Sequence, residues 1–293
     1  MLFFVTLDVT HLVNMVKLST EVGIGASSHP FSLKDDVMLL GSCFVDNIAV
    51  KMKDAGFNVV NNPFGTLYNP ASIAGAVELL NSSRLFEADD CVQMGAGSEL
   101  FCSFYHHTSF ARPTVSEFLS NSNESLSCAR EYWQKCKKVI ITLGTAMVWE
   151  HDSQIVANCL KRPSNEFVHR LLTLSKIISY IKRIVEFNSE KEFLFTVSPI
   201  RHLGEGAHNN TISKSLLQLA LRESGVEYFP AYEILLDELR DYRFYSEDLV
   251  HPSKVAVDII WEKFVKYATL PEEKPLMDMN EKRSKASKHV RRI

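Results

Sequence analysis

The chain has 293 residues, 46% of them hydrophobic and 23% charged, the composition of a soluble globular protein long enough for one large domain with a well-filled core. Its formal net charge of −3 argues against an electrostatic nucleic-acid footprint; Lys282, Arg283, Lys285, Lys288, Arg291 and Arg292 do gather positive charge at the C-terminus, but without interleaved aromatics. Six cysteines, none in C-x-x-C spacing, argue for reduced thiols over a disulfide framework or a zinc site, and so for a cytoplasmic protein.

Residues 1–14 are apolar-leaning but lack a basic n-region and a small-residue cleavage site, and no later stretch approaches about 18 consecutive apolar residues, so neither secretion nor membrane spanning is expected. Met15 reads as a second plausible start, and residues 1–20 as an extension outside the core. The first strand is Val37 to Leu40; Phe44, Ile48 and Met52 then recur at a spacing of four, placing one apolar face on a helix that stops at Gly56. Phe57 to Val60 is a second strand, followed by the loop Asn61 to Tyr68 and a helix with Asn69 as N-cap and Pro70 at its first position. The stretch around 81–130, with a Ser/Asn-rich run near 119–127, reads as an irregular insertion. Lys138 to Leu143 is the clearest strand and ends in Gly144-Thr145; a helical pattern covers roughly 164–187, and Phe193 to Val197 is a strand closing on Ser198-Pro199. Ile212, Leu216, Leu219 and Ala220 mark a helix ended by Gly225, Val226 to Phe229 a fifth strand, and Pro252 the start of a last helix. The main domain is therefore expected over 21–270, with 271–293 a charged, mobile tail.

Five short apolar strands separated by helices predict a parallel sheet covered on both faces, whose ligands bind at the carboxyl ends of the strands. Gly41-Ser42-Cys43, the Asn61–Tyr68 loop, Gly144-Thr145 and Ser198-Pro199 all fall at such ends. Ser42, with the pair Asp248 and His251 near the other end of the chain, supplies a nucleophile, an orienting carboxylate and a base. Each also has a plainer reading: Ser42 as a helix cap, Asp248 as a capping carboxylate, His251 as a surface histidine, Cys43 as a buried small residue. Tyr242, Arg243, Phe244 and Tyr245 are expected to pack so as to position the Asp-His segment, with Arg243 pairing an acidic neighbour. His106-His107 and His202 with His208 lack metal-ligand spacing, so no metal and no cofactor is expected.

Several strings then act as a set: Gly41-Ser42-Cys43-Phe44-Val45, Asn62-Pro63-Phe64-Gly65-Thr66-Leu67-Tyr68-Asn69-Pro70, Leu143-Gly144-Thr145-Ala146, Asn158-Cys159, Val197-Ser198-Pro199-Ile200-Arg201-His202, and Asp241-Tyr242-Arg243-Phe244-Tyr245 running into Ser246 to Pro252. From Leu39 to Phe264 the chain resembles the GSCFA proteins, a branch of the SGNH or GDSL-type hydrolases. The resemblance implies a flavodoxin-like three-layer α/β/α fold with a five-stranded parallel sheet and a serine hydrolase site: Ser42 as nucleophile, Asp248 and His251 completing the triad, and Gly65 on the oxyanion. Where the superfamily has G-x-N-D this chain has Gly144-Thr145-Ala146-Met147, so the usual oxyanion asparagine is missing, and the Thr145 hydroxyl or N–H, or Asn158, is expected to replace it.

On this reading His251 takes the hydroxyl proton of Ser42 as it attacks an acyl ester, and Asp248 fixes the imidazole tautomer. The substrate is expected to be a small-molecule or glycan acyl ester, an O-acylated sugar by superfamily analogy; the alternatives are an acyltransferase, a non-catalytic binding module and a thiol enzyme using Cys43. No nucleic-acid or membrane partner is expected, and the sequence sets no oligomeric state.

Overall fold

The computed structural model describes residues 19–290, so the expectations for residues 1–18, including the second start at Met15, and for Arg291 and Arg292 lie outside the described residues. In chain order the elements are β1 (Asp36–Gly41), α1 (Phe44–Ala55), β2 (Asn58–Asn61), α2 (Pro70–Asn81), β3 (Val92–Gln93), β4 (Phe101–Cys102), α3 (Val115–Lys135), β5 (Lys138–Leu143), β6 (Met147–His151), β7 (Gln154–Val156), β8 (Val168–Leu171), α4 (Leu174–Glu186), β9 (Glu192–Val197), α5 (Gly206–Ser224), β10 (Glu227–Phe229), α6 (Ala231–Glu233), α7 (Lys254–Ala268) and α8 (Lys274–Val290).

The central sheet has five parallel strands in the order β2-β1-β5-β9-β10. Counted within the sheet this is the flavodoxin-like order 2-1-3-4-5, whose direction reverses between β1 and β5. Strand alternation divides the core. Met38, Leu40, Val139, Ile141, Leu143, Phe193 and Phe195 face the helices α2, α3, α4 and α5. Val37, Leu39, Val59, Ile140, Leu194 and Phe229 face α1, α7 and α8. The result is three layers, α/β/α, with strands buried on both faces, which is why they read as unbroken apolar runs.

Local chemistry sets the element ends as the sequence predicts. Gly56 closes α1 in the left-handed conformation at φ 103°, and Asn69 accepts the N–H of Ser72 to open α2 with Pro70 behind it.

Three expectations need correction. The 81–130 stretch is not one insertion: α3 runs through the Ser/Asn-rich segment as a 21-residue crossover helix, burying Phe118, Ser122, Leu126, Ala129 and Trp133 on one face. The pattern over 164–187 is a helix only from Leu174; before it, β8 joins β6 and β7 in a three-stranded antiparallel sheet that the sequence reading missed. Among the described residues the C-terminal segment is a docked helix, Lys274–Val290, where a mobile tail is expected. In α8, Met277 is buried, Asn280 donates to the Ala55 carbonyl at 3.0 Å, and Ser284 and Lys288 both reach Asp54 at 2.7 Å.

Candidate active site

β1 ends at the point where the sheet order reverses, and the chain leaves it through Gly41 at φ 137°. A Cβ on Gly41 would lie 2.1 Å from the Thr142 carbonyl oxygen of β5, so only glycine lets the two strand ends approach this closely. The Ser42 N–H then donates to that same carbonyl at 3.1 Å, and Ser42 is fully buried with its Oγ unpartnered. Cys43, the next residue, is the N-cap of α1 but makes no side-chain cap bond.

The Asp-His segment approaches from the other side as a closed loop. Tyr245 bridges Pro252, Ser246 N–H donates to the His251 carbonyl at 2.8 Å and Ser253 N–H to the Phe244 carbonyl at 2.8 Å. Arg201 pins this loop: its N–H donates to Val250 O and its guanidinium to Leu249 O, both at 3.1 Å, while the guanidinium lies 5.6 Å from the Tyr245 ring centre. Leu249, between the two functional residues, is held at φ 55°. Phe244 and Tyr245 pack on the core and Arg243 pairs with the acidic neighbour Asp241 at 2.9 Å, as expected, whereas Tyr242 is exposed.

Asp248 caps no helix; that role belongs to Ser253, which accepts the Ala256 N–H. One Asp248 oxygen accepts the N–H groups of His251 and Val250, each at 2.9 Å, and the other lies 2.6 Å from His251 Nδ1. The His251 and Val250 N–H groups, and then the His251 ring, hold the half-exposed Asp248 carboxyl at about 2, well below the carboxylate range. An ionised Asp248 binds Nδ1–H, which leaves the Nε2 lone pair of His251 free to accept a proton.

That Nε2 lies 3.6 Å from Cys43 Sγ. The structure therefore brings Asp248 and His251 together as expected but sets them against Cys43 and not against Ser42, whose hydroxyl has no partner. Ser42, tied to the Thr142 carbonyl of β5 by its N–H, is fully buried, and the residue after it meets the loop. Burial pushes the Cys43 thiol above its ordinary value and Asp46 adds to this; the N–H groups of Cys43 and Phe44 and the cation of Lys214 act in the opposite direction. Neither of those two N–H groups donates to a carbonyl among the described residues, as expected at a helix start.

Apart from the Asn158 amide nitrogen, the expected oxyanion donors are otherwise engaged. Gly65 N–H closes a turn onto Asn62 O at 2.8 Å; at φ 76°, with His107 packed where a Cβ would stand, Gly65 is a turn glycine. The N–H groups of Gly144 and Thr145 both donate to Tyr68 O, at 2.8 and 2.9 Å. The Thr145 hydroxyl bonds Ser213 Oγ at 2.9 Å and accepts Met147 N–H at 3.0 Å. Asn158 does line the adjoining pocket, with its Oδ1 accepting Leu160 N–H. Ser198 is buried and accepts the Ile200 N–H, a structural turn.

That pocket, about 480 Å³, opens beside Val250 and His202 and is walled by Tyr68, Met147, Trp149 and Leu203. Trp149 and His169 come from the small antiparallel sheet and stack at 4.0 Å. Sequence reasoning missed this wall, and also Lys214, fully buried in α5, whose Nζ donates to Gly144 O at 2.6 Å and Ser198 O at 2.8 Å. Burial lowers the Lys214 ammonium to about 7. Among the described residues no three of His, Cys, Asp and Glu gather to hold a metal ion, and no helix is long and apolar enough to cross a membrane.

Residues 36–264 match the family model described as the GSCFA family. None of the curated proteins compared with the chain matches it.

Proposed function

The chain belongs to the GSCFA family, and we propose that it is an acyl-transfer enzyme of the SGNH-hydrolase type that cleaves an acyl ester through a thioester on Cys43. The observation that carries this reading is the pair of contacts from Cys43 Sγ to His251 Nε2 and from His251 Nδ1 to Asp248 Oδ2, at 3.6 and 2.6 Å. It is the relation of nucleophile, base and orienter by which acyl-transfer triads are recognised, irrespective of which atom attacks.

The steps follow from the groups present. Cys43 rests as a thiol, so its proton passes to His251 Nε2 as sulfur attacks the ester carbonyl. The C=O π electrons move to oxygen, and the Cys43 N–H at the start of α1 meets the charge. The intermediate collapses, the C–O bond breaks, and the leaving alkoxide takes the proton from His251. Water, or an acceptor alcohol in a transferase, then gives a proton to His251 as it attacks the thioester; the acyl group leaves and the thiol is restored. Asp248 stays ionised throughout and stabilises the imidazolium. The mainly apolar pocket beside Val250 suits the acyl group or the body of a small-molecule or glycan ester.

The test is turnover of p-nitrophenyl acetate and butyrate by the wild type and by Ser42→Ala, Cys43→Ala and His251→Ala, with mass spectrometry of the acylated peptide. Acylation is expected on Cys43, no turnover in Cys43→Ala, a loss of about 10²–10⁴ in His251→Ala, and retained turnover in Ser42→Ala. Turnover that survives Cys43→Ala and disappears in Ser42→Ala would restore the serine as nucleophile. Absence of acylation on either residue would make the protein a binding module.

A further inference from the structure

Acyl transfer through a tetrahedral intermediate needs more than one hydrogen-bond donor on the developing oxyanion, and of the groups expected to provide the second all but the Asn158 amide are already engaged. Gly65 N–H is bonded to Asn62 O, the Gly144 and Thr145 N–H groups to Tyr68 O, and the Thr145 hydroxyl to Ser213 and Met147. Ala146, in place of the superfamily's asparagine, is buried and has no side-chain donor. Among the described residues, two buried side-chain nitrogens have no partner: His106 Nε2, enclosed by Phe64, Phe86, Phe110 and Phe118, and His202 Nε2.

His202 stands at the strand ends that form the site. Its Nε2 would lie 3.2 Å from a Cβ added to Gly144, a point also 3.3 Å from Ser42 Cβ and 3.0 Å from Tyr68 O. The bare Cα of Gly144 is thus bordered by this nitrogen and by the residue preceding Cys43. The residue is fixed twice: its ring packs edge-on to Tyr68 at 5.7 Å, and its backbone N–H donates to Asn210 Oδ1 at 2.9 Å. Such a ring is preorganised, and an unpartnered buried donor is costly unless a ligand atom meets it.

We propose that His202 is the second oxyanion donor, its Nε2–H binding the substrate carbonyl oxygen together with the Cys43 N–H as Cys43 attacks. This assignment rests on Cys43 being the nucleophile. The imidazole acts as a neutral donor: burial, then the Lys214 cation, then His251 lower it to about 3, so it does not compete with His251 for the thiol proton. A neutral imidazole donor, held so by its surroundings, is an established form of electrophilic catalysis. His202 therefore takes the place of the asparagine missing at Ala146, from a different strand end.

The experiment compares two reagents on the wild type and on His202→Phe, His202→Gln and His251→Ala. A short alkyl trifluoromethyl ketone adds the Cys43 sulfur across its carbonyl, passing the thiol proton to His251 and leaving an oxyanion. Iodoacetamide alkylates the same sulfur at a saturated carbon with loss of iodide and makes no oxyanion. With folding verified by circular dichroism, His202→Phe is expected to weaken ketone binding and to lower kcat by about 10²–10³, with KM within about threefold by the differential-binding argument. Alkylation of Cys43 should be unchanged, and His202→Gln should recover part of the loss. Equal losses with both reagents, or no loss with either, would overturn the assignment while leaving the thiol mechanism standing. A wild-type Cys43 that takes up no ketone, and whose alkylation is insensitive to His251→Ala, would instead overturn the thiol reading and this assignment with it.

Discussion

One position separates Ser42, buried and unpartnered, from Cys43, which meets the base. Such a one-residue difference at a strand end is not expressed by any residue pattern, and this is why the apolar run and the Asp-x-x-His pair were legible while the side chain facing His251 was not. Gly41→Ala would place Cβ 2.1 Å from Thr142 O and force a left-handed alanine; it is expected to cost at least about 3 kcal/mol, seen as a lower urea midpoint. Asp248 and His251 were legible because their contact is local, three residues apart in one loop. Lys214 and His202 were not. Their importance comes from carbonyls and glycines brought in from β5 and β9, and a lone lysine in a helical pattern looks like a solvated one.

At the level of elements, strands buried on both faces were read almost to the residue, with Lys138–Leu143 as the clearest case. Half-exposed elements were not. In β6 only Val148 is fully buried, so the alternation that would mark a strand is absent. In α3 the inward face includes Ser122, a polar residue that interrupts the apolar period carried by Phe118, Leu126, Ala129 and Trp133. The last helix was hidden differently, because it is rich in charge and Met277 is its one buried apolar side chain among the described residues, the other anchors being the polar Asn280, Ser284 and Lys288. Met277→Ala is expected to lower stability by about 2 kcal/mol or more by emptying the space between α8 and the α1/α7 layer, with urea denaturation as the measurement.

Across the whole molecule, the flavodoxin-like strand order puts β1 and β5 on either side of the reversal, and the resemblance to GSCFA proteins foresaw this architecture from strings scattered over the chain. Stability against acid is also a property of the whole fold. His106 and His202, both lowered by burial from an ordinary 6.5 to about 3, bind protons more readily unfolded than folded; their contribution is complete above pH 6.5 and is lost as pH falls toward 3. Each histidine costs at most about 1.4 kcal/mol per pH unit within that window, so the urea midpoint should fall steeply from pH 6.5 to 5 and less steeply in His106→Phe. The burial of Cys43 under the Asp-His loop has a chemical corollary as well. Peroxides oxidise thiolates, not thiols, and a thiol raised by burial exposes few thiolates at neutral pH. Hydrogen peroxide should therefore convert Cys43 to the sulfenic acid slowly at pH 7 and faster as the pH rises, the opposite of a redox-sensing cysteine.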